Sequence, residues 1–371
     1  MPRSRCARVT KLPYTLAMRP VLLIGSFPSA LSTHEVFTLA GRALAGVAKR
    51  LPDGEAQGWN TFPAATLAKA EGIEPSGRTA RMQPEMPPYP LWHLKPGVAP
   101  DAVRFAPVGY DRIALASYDA FKAARREGAI APGTKFQVSL PTPFATIGAR
   151  VVPEQVPVLL PAFERHYFKE VEAIAAAIPA DDLAIQWDVA VEIIQSLEGN
   201  RPGLKEHAPL SFLAAALARA VACVPAHVEC GIHLCYGNPG GRHIIEPKDT
   251  SVMVALANAT VAALREASSS AACEVRDASR KLSWLHMPVP KNRDDHAYFA
   301  PLAKLALPAG TEFYLGLVHL SDGVAGAARR IAAARKVMPD FGVGYECGLR
   351  AFAKDAIGEM LALHKAVAAL E

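Results

Sequence analysis

Short apolar runs alternate along the chain with longer stretches in which apolar residues recur every three or four positions. The first run, Val21-Leu-Leu-Ile-Gly-Ser-Phe-Pro28, reads as a buried strand, a loop, and then a helix from about Thr33 capped by Ser32 or Thr33. Leu51-Pro-Asp-Gly-Glu55 predicts a short second strand that ends in a carboxylate. From Lys135 the rhythm is regular. Strands are predicted at Phe136–Leu140, Leu183–Asp188, Gly231–Cys235, Leu282–Met287, Phe313–Val318 and Phe341–Tyr345. Helical periodicity lies between them, over Glu154–Ile178, Leu210–Cys223, Ser251–Ala267 and Gly323–Lys336. Residues 56 to 130 break this rhythm. Their Pro-rich middle and the segment Arg104–Ser117 predict an excursion with its own hairpin, closing on a helix around Tyr118–Glu127.

Eight strands rich in branched apolar residues, each separated from the next by a helical stretch, predict an α/β fold of the (β/α)₈ TIM-barrel type with an insertion after the second strand. A doubly wound open sheet is the runner-up, but no Gly-x-Gly-x-x-Gly turn follows any strand. The expected organisation is a single barrel domain over residues 20–371, with 60–130 as the excursion and 1–19 as a disordered extension.

Charge adds little to this picture. The net charge of +5 is matched by Arg3, Arg5, Arg8, Lys11 and Arg19, so the rest of the chain is balanced. Nothing resembles a basic nucleic-acid stripe, and no apolar run approaches the roughly 18 residues of a membrane span. The basic start precedes Met18, an alternative initiator. Six cysteines without framework spacing suggest free thiols in a reducing cytoplasm.

Polar residues collect where the apolar runs end. His233 and Cys235 are two apart, so an extended strand points both to one side, a geometry in which an imidazole nitrogen and a thiolate can share a zinc ion. Cys347 closes the last run and precedes a helical pattern, which predicts a strand end and a helix amino end that would favour a thiolate. Two Cys and one His in such places suggest a catalytic zinc with an open fourth position. If the barrel forms, Ser26, Glu55, Thr142, Asp188, Glu192, His286, His319 and Glu346 meet them at the carboxyl ends of the strands.

Ile24-Gly-Ser-Phe-Pro28, Gly54-Glu55, Ile185-Gln-Trp-Asp188, His233-Leu-Cys-Tyr236 and Glu346-Cys-Gly-Leu349 resemble, in order, the motifs of the catalytic barrel of cobalamin-independent methionine synthase. That superfamily also holds thiol methyltransferases and uroporphyrinogen decarboxylase. The resemblance implies His233, Cys235 and Cys347 as zinc ligands, and Ser26, Glu55 and Asp188 as the holders of an amino-acid substrate such as homocysteine. It implies zinc-dependent transfer of a methyl or alkyl group to a thiol; in such a mechanism a histidine at a strand end, His286 or His319, is the expected acid for the leaving group. There are departures. The synthase's amino-terminal domain has no counterpart, and its fourth ligand, a Glu closing strand six, is replaced by the stretch containing His286, which either substitutes for it or leaves three protein ligands. The folate-facing run after strand three is poorly matched by Gln137–Phe144, which puts folate in doubt and leaves the methyl donor unknown. Rival readings are a zinc Lewis-acid lyase or hydrolase, a metal-independent decarboxylase, and a non-catalytic binding barrel. The expected partners are a small thiol or amino-acid-like substrate, with a second copy or a donor protein left open.

Overall fold

The computed structural model describes residues 18–56, 62–269 and 281–370. Cys6, Cys273 and the basic extension, apart from Met18 and Arg19, lie outside the described residues. Eight parallel strands make one sheet: β1 (Val21–Leu22), β2 (Arg50–Pro52), β5 (Lys135–Pro141), β6 (Leu183–Val189), β7 (Glu229–Leu234), β8 (Trp284–Pro288), β9 (Glu312–Gly316) and β10 (Gly342–Gly344). Their order, β1-β10-β9-β8-β7-β6-β5-β2, closes between its ends through the parallel bridges Val21–Ala48 and Ser26–Gly54. The amides of Val21 and Phe27 donate to the carbonyls of Val47 and Gly54, each at 2.9 Å. The fold is a (β/α)₈ barrel.

The barrel is filled in layers, as a closed eight-stranded sheet requires. The layer nearest the amino ends of the strands holds Arg50, Trp284 and Tyr314, with the Arg50 guanidinium 4.2 Å from the Trp284 ring centroid and paired to Glu229 and Glu312. Glycines on neighbouring strands make room for the rings: a Cβ at Gly231 would lie 1.9 Å from Trp284, and one at Gly342 would lie 2.4 Å from Tyr314. Above it, Gln137 and Gln186 donate to the Ile24 carbonyl, both at 2.7 Å, which satisfies that buried group just beyond β1. The next layer contains Asp188, His233 and His286, paired in register across β6, β7 and β8.

Helices cover the outside. The first, Thr33–Ala43, starts at Ser32 with a complete capping box, its hydroxyl accepting from the Glu35 amide while Glu35 reaches back to the Ser32 amide. The helices Leu210–Cys223, Ser251–Ser269 and Gly323–Arg335 lie where the periodicity placed them.

Two details of the excursion differ from the sequence reading. Its hairpin is β3 (Ile73–Ala80) paired with β4 (Tyr89–Leu94), not the segment Arg104–Ser117. β3 is mostly polar and half exposed, with Pro75 and Gly77 inside it, so it lacks the alternation of a core strand. The following helix begins at Tyr110 rather than Tyr118, because its buried face continues through Ser117, Ala114 and Ile113, where small residues hide the apolar period. The hairpin lies over the ends of β5 and β6: Val152 donates to the Trp92 carbonyl at 3.0 Å, and Gln195 donates to the Tyr89 hydroxyl at 3.3 Å.

Candidate active site

β7 delivers His233 into the barrel and Cys235 to its rim, where the Cys235 amide bonds the Val189 carbonyl at 2.9 Å. Cys347 arrives from the loop after β10. Several hydrogen bonds hold that loop, among them Leu349 donating to the Ser26 carbonyl at 2.6 Å and Asn238 Nδ2 donating to the Gly348 carbonyl at 3.0 Å. Gly348 has to be glycine at this approach, since a Cβ would lie 2.0 Å from Ser26 Oγ. The two thiols end 3.4 Å apart, and ligand atoms of His233, Cys235 and Cys347 all fall within 4.8 Å of one another.

The environment of Cys347 corrects one expectation. Its strand ends as predicted, but the following helix spans Ala356–Ala368, so no helix amino end faces the sulfur. Without that dipole, the hydrogen bond with Cys235, burial and the charge of Cys235 push the Cys347 thiol well above its ordinary range, with His233 opposing them. Two such thiols ionise together only beside a cation. His233 Nε2 is buried and has no hydrogen-bond partner among the described residues. Two soft sulfurs and an orphaned imidazole nitrogen are a donor set that fits zinc.

Across the mouth lies a group of carboxylates. Gly54 and Glu55 turn the chain with φ of 83° and 51°, and Glu55 is the one non-glycine residue with positive φ among the described residues. That turn is held by Asp53, whose carboxylate accepts from the Glu55 amide at 2.8 Å and from Ser117 Oγ at 2.7 Å. Arg350 donates to the Glu55 carbonyl at 2.8 Å, and Nη2 also lies 3.5 Å from Glu55 Oε2. Gly25 leaves space for the carboxyl, since a Cβ there would meet Glu55 Oε1 at 2.3 Å. Burial, then the charges of Asp188 and Asp53, push the Glu55 carboxyl up to about 8. Burial likewise raises Asp188 to about 6, against His233 and a 2.8 Å hydrogen bond from Gln186. Ser26, half-buried, stands beside this group at the Gly54 bridge.

The remaining predicted residues occupy separate places. His286 is fully buried, and its Nδ1 lies 2.8 Å from His233 Nδ1. Burial, then the neighbouring His233, hold its ring well below the usual imidazole range. His319 donates from Nε2 to the Val289 carbonyl at 2.7 Å, and burial, then Arg330, lower it to about 4. It helps line a cleft of about 480 Å³ between the loops after β7, β8, β9 and β10, with His243, Tyr345, Glu346 and Phe352. Glu346 lies 3.4 Å from His243. Thr142 caps the helix Pro143–Arg150 and donates to Glu192, whose carboxyl burial pushes up to about 7.

Sequence reasoning missed Asp53, Asn238, Gln186 and Arg350 as parts of this arrangement. Asp53 and Arg350 stand within three residues of assigned positions, Glu55 and Cys347, which was the available signal. Asp295, by contrast, is the helix cap that its position suggests, accepting from the Tyr298 amide at 3.0 Å.

No protein-family model and no curated protein matches the chain in sequence. Solved structures do match. A B12-independent methionine synthase from Shewanella sp. W3-18-1, in complex with selenomethionine, superposes with a TM-score of 0.59 at 15% identity, covering 95% of this chain and 97% of that one. The chain shares the fold of B12-independent methionine synthases. A putative vitamin-B12-independent methionine synthase from Listeria monocytogenes gives a TM-score of 0.56 at 15% identity, over 93% of this chain and 95% of that one. A methyltransferase from Methanosarcina mazei gives 0.52 at 14% identity, over 95% and 94%. No described helix is long and apolar enough to cross a membrane.

Proposed function

We propose that the chain is a zinc-dependent transferase that moves a methyl or other alkyl group to the thiol of an amino-acid-like acceptor. The observation that carries this reading is the convergence of His233, Cys235 and Cys347 within 4.8 Å, at a mouth that also holds Asp53, Glu55 and Asp188. His233, Cys235 and Cys347 would hold the metal. Bound there, zinc supplies a Lewis acid that brings the pKa of an acceptor thiol down from its ordinary value of about 8.5.

The chain's own residues do the rest. Glu55 and Asp188 receive the substrate ammonium, whose positive charge offsets the burial and the neighbouring negative charges that keep Glu55 protonated. Ser26 Oγ orients the substrate carboxylate, and Arg350 holds the turn that aims Glu55. Partial burial of Ser26, Glu55 and Asp188 strengthens each of these interactions relative to bulk water. His319, with Nε2–H committed to the Val289 carbonyl and its ring lowered to about 4 by burial and Arg330, stays neutral and has no spare proton to give a leaving group. The likeness to methionine synthases and a methyltransferase supports transfer over cleavage or decarboxylation.

The test is a screen of the zinc-loaded protein with small aminothiols and methyl donors, read by mass spectrometry. An acceptor that gains one methyl group supports the reading. Turnover of thiol-free substrates with no thiol alkylated by any donor contradicts it.

A further inference from the structure

We infer that His286 is a positioning residue for the metal-ligating His233, fixing which of its nitrogens faces the two thiols, and is neither the fourth ligand nor an acid. This rests on the zinc reading above and assigns within it a role to one more side chain.

β7 and β8 place His233 and His286 opposite each other, with ring centroids 4.8 Å apart and planes tilted by 55°. Their Nδ1 atoms lie 2.8 Å apart, so one proton is shared between them, one nitrogen donating and the other accepting. There are two arrangements. If His286 donates, the His233 proton sits on Nε2, and His233 has no lone pair to offer a metal. If His233 donates from Nδ1, its buried and otherwise unpartnered Nε2 carries the lone pair that ligation needs. In that second arrangement, the His286 proton resides on Nε2, which is turned toward the Tyr345 backbone but, like His233 Nε2, makes no hydrogen bond of ordinary geometry among the described residues.

The barrel is shaped to hold His286 there. Gly316 on β9 and Gly344 on β10 border its ring: a Cβ at Gly316 would lie 2.8 Å from His286 Nε2, and one at Gly344 would lie 3.5 Å from it. With His286 at 0% exposure, its nitrogens face His233 on one side and backbone on the other, leaving no edge for substrate. The group of possible ligands contains His233, Cys235 and Cys347 without it. Outer partners of this kind orient a metal-bound imidazole and raise its basicity.

The experiment measures zinc affinity by chelator competition in wild type, His286→Ala and His286→Asn. Loss of the partner is expected to weaken binding by roughly 10- to 100-fold, and Asn, whose amide oxygen can accept from His233 Nδ1, is expected to restore most of it. X-ray absorption should find the same two sulfurs and one imidazole in wild type and His286→Ala. Nitrogen-15 NMR of metal-free wild type, which depends on no variant folding, should place the His233 proton on Nδ1. A proton on His233 Nε2, a nitrogen ligand missing from His286→Ala, or unchanged affinity in a folded His286→Ala would overturn the inference. If wild type itself fails to bind zinc, the metal reading falls, and the inference with it.

Discussion

Asn238 Nδ2 donates to the carbonyl oxygen of Gly348 at 3.0 Å, joining the loop after β7 to the loop after β10 one residue beyond Cys347. These loops carry the two thiols, so the hydrogen bond sets their separation. Replacing Asn238 with Ala should cost about 1–2 kcal/mol of stability and weaken zinc binding, because the Cys347 loop loses one of its anchors. Thermal melts and chelator competition measure the two effects. A loss of stability with unchanged zinc affinity would mean that the remaining contacts, Leu349–Ser26 and Arg350–Glu55, hold the loop in place.

Gly348→Ala probes the same approach from the other side. A Cβ 2.0 Å from Ser26 Oγ forces the Cys347 loop outward, and a loss of about 1–3 kcal/mol is expected together with reduced metal content. Retention of full metal content and stability would show that the loop has slack that the geometry does not suggest.

Glu55 makes the metal-free protein pH-sensitive. Its carboxyl titrates near 8 in the folded state against 4.5 as the ordinary value, so the folded state binds the proton more tightly than the unfolded chain. The stability this contributes is fully present below about pH 4.5 and is lost as pH rises through about 8. Denaturant melts should therefore show wild type weakening across that window by up to about 5 kcal/mol, and Glu55→Gln should flatten the slope, leaving the smaller part that Asp188 contributes. A substrate ammonium should do the same by favouring the ionised form. Identical pH slopes for wild type and Glu55→Gln would remove Glu55 as the cause.

Ser32→Ala serves as a control away from the mouth. It removes the capping box of the first helix and should cost about 1 kcal/mol while leaving zinc affinity unchanged. A change in affinity would show that the site responds to general destabilisation, and the other variants would then need correcting for it.

The parts of this arrangement legible in the sequence are those that local periodicity carries. His233 and Cys235 are two apart on a strand, and alternation alone puts them on one side of it. The eight strands were visible because parallel strands buried on both faces leave near-continuous apolar runs. What stayed hidden is held by long-range contacts. Arg350 meets Glu55 across 295 residues and Asn238 meets Gly348 across 110, and no local pattern encodes either pairing. The helix after Cys347 was placed too early because Leu349, Ala351 and Phe352 read as the start of an apolar period, whereas they form a loop that packs back on Ser26 and Tyr345. The half-exposed hairpin was misplaced because its pairing serves the rim of the barrel rather than the core.

The most direct measurement is the metal content of protein purified without added zinc, beside the Cys347→Ser variant with its fold checked by circular dichroism. About one zinc per wild-type chain, lost from the folded variant, is the predicted result, since three ligands are the minimum set for a catalytic zinc. Wild type without zinc, or a folded variant that keeps it in full, would contradict the account.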